Sequence, residues 1–290
     1  MTDDPTSPGP GSHAAPQRFG LRLTEALGRH GPVCVGLDPH RELMQDWGLP
    51  DTAAGVAEFC SVVLDAAAGR CAAVKPQSAF FERHGAAGVA VLEDVLRGCR
   101  DRGLLTVLDV KRGDIGSTMA GYAQAYLDDD APLAADAVTL SPYLGYGALR
   151  PALDLARSTG RGVFVLVRTS NPEGGQVQSA GRPSVAQQLL QEVGADNAGQ
   201  APCGDVGVVV GATLDPAAEG LDLAGSLAPV LAPGVGAQGA DEHDVVRAFG
   251  GAAGRVLVPV SRGVLREGPE GVASALERWT RRLAGALGDG

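Results

Sequence analysis

The segment DVKRGDIGST sets Asp109, Lys111 and Asp114 at the end of an otherwise apolar run. Side chains of an extended strand alternate between its faces, so Asp109 and Lys111 share one face and Val110 takes the other. If Val110 packs against helices, both charges point into the interior, where mutual pairing offsets part of their desolvation cost. An ammonium held there can stabilise negative charge growing on a bound molecule and can donate a proton. Gly113 allows a sharp turn, and Asp114 opens the following loop. A surface turn carrying an ion pair is the alternative reading.

Other apolar runs end in the same way. GLDPH brings Asp38, AVKPQ brings Lys75, and VLVRTS brings Thr169 and Ser170. APGVGAQG offers Gly234, Gly236 and Gln238, while VPVSRG offers Ser261, Arg262 and Gly263. Backbone amides, a helix start and a guanidinium are the groups a phosphate needs. In an α/β barrel the C-terminal ends of all strands converge on one mouth, and phosphate is often held after strands 7 and 8.

The elements that must carry these residues follow from periodicity. Short Val-rich runs lie at 32–37, 71–75, 104–110, 137–141, 162–168, 206–212, 229–233 and 255–260. Their nearly continuous apolar character marks strands buried on both faces, as in a parallel sheet. Helical spacing fills the intervals near 52–69, 86–102, 117–129, 145–159, 184–194, 215–224, 241–249 and 269–287. In 86–102, for example, Val89, Leu92, Val95 and Leu96 oppose Glu93, Asp94, Arg97 and Arg100. This alternation predicts a single-domain (β/α)8 TIM barrel over 18–290, with an open doubly wound sheet as the alternative. The stretch 169–183 is long, Gly-rich and polar, and follows a strand. It reads as a lid over the mouth, or more blandly as a surface loop.

Bulk properties narrow the function. The 290 residues, 44% of them hydrophobic, suffice for one large core, and barrels of about 250 residues form one domain. A net charge of −10 without a basic run argues against nucleic-acid binding but leaves a small anionic ligand open. No apolar run reaches the roughly 20 residues of a membrane helix. The first 17 residues, acidic and rich in Pro and Gly, read as a disordered tail with no secretory signal. Cys34, Cys60, Cys71, Cys99 and Cys203 form no CxxC pair, and buried reduced thiols of a cytoplasmic protein are expected.

DVKRGDIGST, with GLDP before it and PGVGAQG after it, resembles the orotidine 5′-phosphate decarboxylase family. AVKPQSAFFE and VLVRTSNPEGGQ are similar to its longer bacterial subgroup, and the resemblance spans about residues 18–285. It implies decarboxylation of orotidine 5′-phosphate to uridine 5′-phosphate in pyrimidine biosynthesis, with no metal and no organic cofactor. Lys111 then matches the proton donor to C6, and Asp109 the carboxylate beside the substrate's own. Asp114 matches a group contributed across a homodimer interface, with Thr118 reaching the ribose. Lys75 completes the charged network and contacts sugar hydroxyls together with Asp38. Ser170 matches a serine on the pyrimidine, Gln238 and Arg262 match the phosphate clamp, and Pro233 and Ser261 join them as substrate-binding residues. Ser261 stands where many members carry Gly. Related phosphosugar barrels use magnesium held partly by an acid after the second strand, where this chain has Lys75. A non-catalytic sensor of nucleotides or sugar phosphates is the reading from another class.

Overall fold

The computed structural model describes residues 16–236 and 239–288, so most of the expected tail lies outside the described residues. Eight strands close in chain order into a barrel, all paired in parallel. They are β1 (Val33–Leu37), β2 (Ala73–Pro76), β3 (Leu105–Arg112), β4 (Ala137–Leu140), β5 (Gly162–Arg168), β6 (Val206–Val210), β7 (Val230–Leu231) and β8 (Val256–Val260). Pairing of β1 with both β2 and β8 completes the ring and rules out the open sheet.

The helices, in order, begin with α1 (Phe19–His30), α2 (Arg41–Asp46), α3 (Ala53–Ala67), α4 (Ala79–Glu82), α5 (Gly85–Asp101) and α6 (Gly116–Leu127). They continue with α7 (Arg150–Thr159), α8 (Gly175–Gln178), α9 (Val185–Asp196), α10 (Glu242–Phe249), α11 (Arg262–Leu265) and α12 (Val272–Gly288).

Period-two alternation divides the core in two. Val33, Val35, Val74, Leu108, Val110 and Val138 point outward and pack with the helices in one cluster. Cys34, Ala73, Val107, Ala137, Phe164, Val209, Leu231 and Leu257 fill the barrel interior. Val110 is thus on the helix side, and the inward placement of its two charged neighbours follows.

Three expectations are corrected. First, α1 falls outside the predicted alternation. Phe19 and Leu23 join the interior cluster and close the N-terminal end of the barrel. The ring of Phe19 meets Phe164 edge-on at 5.9 Å. It also lies 2.3 Å from where a Cβ on Gly162 would be, so only glycine fits there. The Gly20 amide and the Arg18 guanidinium anchor the helix start on Asp205, at 2.8 and 3.2 Å.

Second, 215–224 is not a helix. Asp215 starts one turn by accepting from the Ala218 and Glu219 amides, and Gly220 then takes φ 70° and ends it. Third, 169–183 is not wholly irregular. It holds a 3-10 turn at Pro172–Gly174 followed by α8.

The five cysteines are free and buried, as expected. Burial pushes the Cys71 and Cys203 thiols up to about 12, which leaves them protonated and inert at neutral pH.

Candidate active site

Strand ends from around the ring deliver polar side chains to one cavity of about 380 Å³ at the C-terminal mouth. Asp38, Lys75, Asp109, Lys111, Ser170, Pro233, Ser261 and Arg262 all line it. On β2 and β3 an inward position one step above the apolar interior layer supplies the group. Lys75 follows Ala73 by two residues, and Asp109 follows Val107 likewise.

Asp109 is the hub. Its Oδ2 lies 3.2 Å from Lys75 Nζ, and its Oδ1 lies 2.5 Å from Lys111 Nζ. The Thr139 hydroxyl donates to Oδ1 at 2.8 Å. Lys75 Nζ also faces Asp38 Oδ1 at 3.9 Å and Gln77 Oε1 at 3.3 Å. Lys75 and Asp109 are each only 7% exposed. Burial alone would raise the Asp109 carboxyl, but Lys75 and Lys111 beside it bring it down to about 2. Burial pulls the Lys75 ammonium the other way; Asp38 and Asp109 more than offset this and hold it above the ordinary lysine range. At neutral pH Lys75 and Asp109 are therefore a buried pair of opposite charges.

Lys111 differs from the fully buried pair member that period two suggests. Its side chain is 46% exposed and stands over the cavity. Its backbone sits at φ 45°, where non-glycine residues are uncommon and local strain marks functional sites.

Asp114 and Thr118 do not line the cavity of their own chain. The Asp114 carboxylate accepts the Ile115 amide at 2.8 Å, and Thr118 is exposed on the first turn of α6. Gln238 lies outside the described residues.

Reading the strand ends as single residues overlooked Gln77, Thr139, His40 and Asn171, all in the cavity wall. Parity held the signal for two of them, since Gln77 continues the inward register of Lys75 and Thr139 that of Ala137. Leu166, Val209, Leu231 and Pro259 provide its apolar surface. A neighbouring cavity of about 490 Å³ shares Leu166 but is walled largely by Tyr143, Tyr146, Val177 and Leu189, away from the charge cluster. No group of His, Cys, Asp and Glu among the described residues is spaced to hold a metal ion.

The region 169–183 meets the mouth at its start, and Gly174, Val177 and Gln178 line the neighbouring cavity. Thr169, Ser170 and Asn171 enter the cavity wall. The Gln178 side chain closes the segment on itself by accepting from the Thr169 amide at 2.9 Å and donating to the Thr169 hydroxyl at 2.9 Å.

Closed parallel barrel, converging charges and apolar cavity floor together define a (β/α)8-barrel enzyme that works at its C-terminal mouth. Comparison with known proteins gives the family. The model of the orotidine 5′-phosphate decarboxylase / HUMPS family matches residues 31–277. A protein of Streptomyces coelicolor named orotidine 5′-phosphate decarboxylase is 55% identical over 275 residues, covering 93% of this chain and 98% of that protein. One of the same name from Salinispora tropica is 53% identical, covering 89% and 93%. A crystal structure described as an orotidine 5′-phosphate decarboxylase of Streptomyces avermitilis superposes with a TM-score of 0.90 at 50% identity, covering 95% and 98%. The chain belongs to this family, and it is a carboxy-lyase of the orotidine 5′-phosphate decarboxylase type.

Proposed function

We propose that the chain converts orotidine 5′-phosphate to uridine 5′-phosphate and carbon dioxide in pyrimidine biosynthesis, with Lys111 protonating C6. The observation that carries this is the grip on Asp109, between a buried Lys75 and a cavity-facing Lys111. Breaking the bond from C6 to its carboxylate leaves the electron pair in a ring sp2 orbital that cannot delocalise. The Lys111 ammonium stabilises that charge as it develops and then delivers its proton to C6. Its partial exposure supports re-protonation from water afterwards. Asp109 faces the departing carboxylate, and repulsion between the two relaxes as carbon dioxide leaves. Stabilisation by Lys111 contributes more than that strain. No metal or organic cofactor enters this scheme.

Asp38 and Lys75 are assigned to the sugar hydroxyls, and Ser170 to the pyrimidine ring. Arg262, Gln238, Pro233 and Ser261 are assigned to the phosphate end. Arg262 suits this role because it is exposed at the cavity rim and has no carboxylate within ion-pair reach among the described residues. Its binding energy, remote from the reacting bond, closes 169–183 over the ring.

Asp114 and Thr118 are assigned to the neighbouring site of a homodimer. They lie beside Ile115, which is 61% exposed, and the adjacent β4 loop presents Tyr143 and Leu144, 78% and 53% exposed. Apolar exposure of that kind fits a surface covered by a second copy. The cytoplasm is the compartment this reading assigns, on the biosynthetic role and the buried free thiols. No described helix is long and apolar enough to cross a membrane.

Steady-state kinetics of two variants test the division of labour. Arg262→Ala is expected to raise KM roughly 10- to 100-fold with a smaller change in kcat, since charge-assisted contacts to phosphate are lost. Asp109→Asn is expected to lower kcat. The reverse pattern would contradict the assignment.

A further inference from the structure

The β3–β4 ladder slips at the charged cluster. Leu108 pairs with Val138 and Arg112 with Leu140, so Asp109, Val110 and Lys111 all share Thr139 as their opposite position. Extra residues on one strand disrupt the ladder and leave backbone groups to be satisfied elsewhere. The amide of Lys111 is one of these. It donates to Thr139 Oγ1 at 3.0 Å. The same oxygen donates its single proton to Asp109 Oδ1 at 2.8 Å, beside the Lys111 ammonium on that carboxylate oxygen. Thr139 is 1% exposed, so solvent offers little replacement for either bond.

We propose that Thr139 is a positioning residue for the decarboxylation: its hydroxyl ties the left-handed Lys111 backbone to the Asp109 carboxylate. This inference rests on Asp109 and Lys111 being the reacting pair. One atom must accept from the amide and donate to the carboxylate, and only a hydroxyl at this place does both. With its proton committed to Oδ1, Thr139 acts through its neighbours although it also borders the cavity. The carboxylate plane is then fixed from two sides, by Lys75 on Oδ2 and by Thr139 with Lys111 on Oδ1. A misplacement of about 1 Å in such a pair suffices for a roughly 100-fold loss of rate.

The test uses the full-length enzyme and compares Thr139→Val, Thr139→Ser and Lys111→Ala for kcat, KM and affinity for uridine 5′-phosphate. Thr139→Val is expected to lose kcat by roughly 10- to 100-fold, with KM and product affinity nearly unchanged. Thr139→Ser, which keeps the hydroxyl, is expected to restore kcat close to wild type. Should the valine variant fail to fold, Thr139→Cys replaces it. Its thiol is a weak donor and weak acceptor, and kcat should fall well below that of the serine variant. Wild-type kcat in Thr139→Val beside an inactive Lys111→Ala would overturn the positioning role alone. Equal impairment by serine and valine would do the same, because packing of the methyl would then be the cause. So would a rise in KM at constant kcat, the mark of direct substrate contact. Near-normal turnover by Lys111→Ala would remove the pair that Thr139 positions, and both readings would fall.

Discussion

Replacing Lys75 by Met removes the one cation lying between two inward carboxylates while keeping much of the side-chain volume. Asp109 now sits at about 2 instead of its ordinary 3.8, a displacement worth about 2.5 kcal/mol in favour of the folded, charged carboxylate. Lys111 acts on it through both its charge and its hydrogen bond, and the charge of Lys75 is the largest single lowering influence. In its absence the desolvation of Asp109 is opposed chiefly by the half-exposed Lys111, and Asp38 loses its cation as well. Removing one partner of a buried pair costs about 3–5 kcal/mol.

The sign with pH is fixed by the same groups. In the wild type the depressed carboxyl contributes stability that is complete above 3.8 and lost as pH falls through about 2. In Lys75→Met burial acts on Asp109 without that opposing charge, so the folded carboxyl lies higher than in the wild type and less stability is lost as pH falls. Urea unfolding should therefore show a midpoint lower by about 1 M near pH 7, with the gap narrowing as pH falls from about 4 toward about 2. Equal midpoints near neutral pH, or a gap of constant size down to about pH 2, would refute this reasoning.

Two further outcomes test other parts of the account. Mixing unfolded Lys111→Ala and Asp114→Asn chains and refolding them together should recover about a quarter of wild-type activity. Random pairing makes half the dimers hybrid, and each hybrid holds one complete site. Recovery of no activity would place Asp114 outside the neighbour's site. At the opposite end of the barrel, Phe19→Ala should cost about 3–5 kcal/mol in unfolding with KM unchanged. Gly162→Ala should destabilise much less in that background than in the wild type, because the ring its Cβ would strike is gone. Additive effects would show that α1 does not pack as described.

The legible parts of the fold were those governed by one short-range rule. Valine-rich runs between helical segments located the strands, and period two alone put Asp109 and Lys111 opposite Val110. The helix α1 was missed because it precedes the first strand, and Arg18 at its start offers no side-chain cap. Its apolar residues serve the barrel's end and not the outer layer. In 215–224, Pro216, Ala217 and Ala218 suit a helical first turn. Gly220 then stops it, and the connection remains short of a helix. At the site, charges at strand ends were visible as interruptions of apolar runs. Thr139 was not, since a threonine in AVTLS suits a strand for its branching alone. Its role arises from a slipped register that involves two strands, and no single strand's pattern carries that. The half-exposure of Lys111 comes from the same irregularity.

The central claim is that Lys111 performs the chemistry. Its most direct test is the loss of pyrimidine absorbance when purified Lys111→Ala is mixed with orotidine 5′-phosphate, alongside binding of uridine 5′-phosphate to the same preparation. Product binding should be retained and turnover reduced by several orders of magnitude, as expected when a group acting in the transition state is removed. Turnover close to wild type in that preparation would contradict the claim.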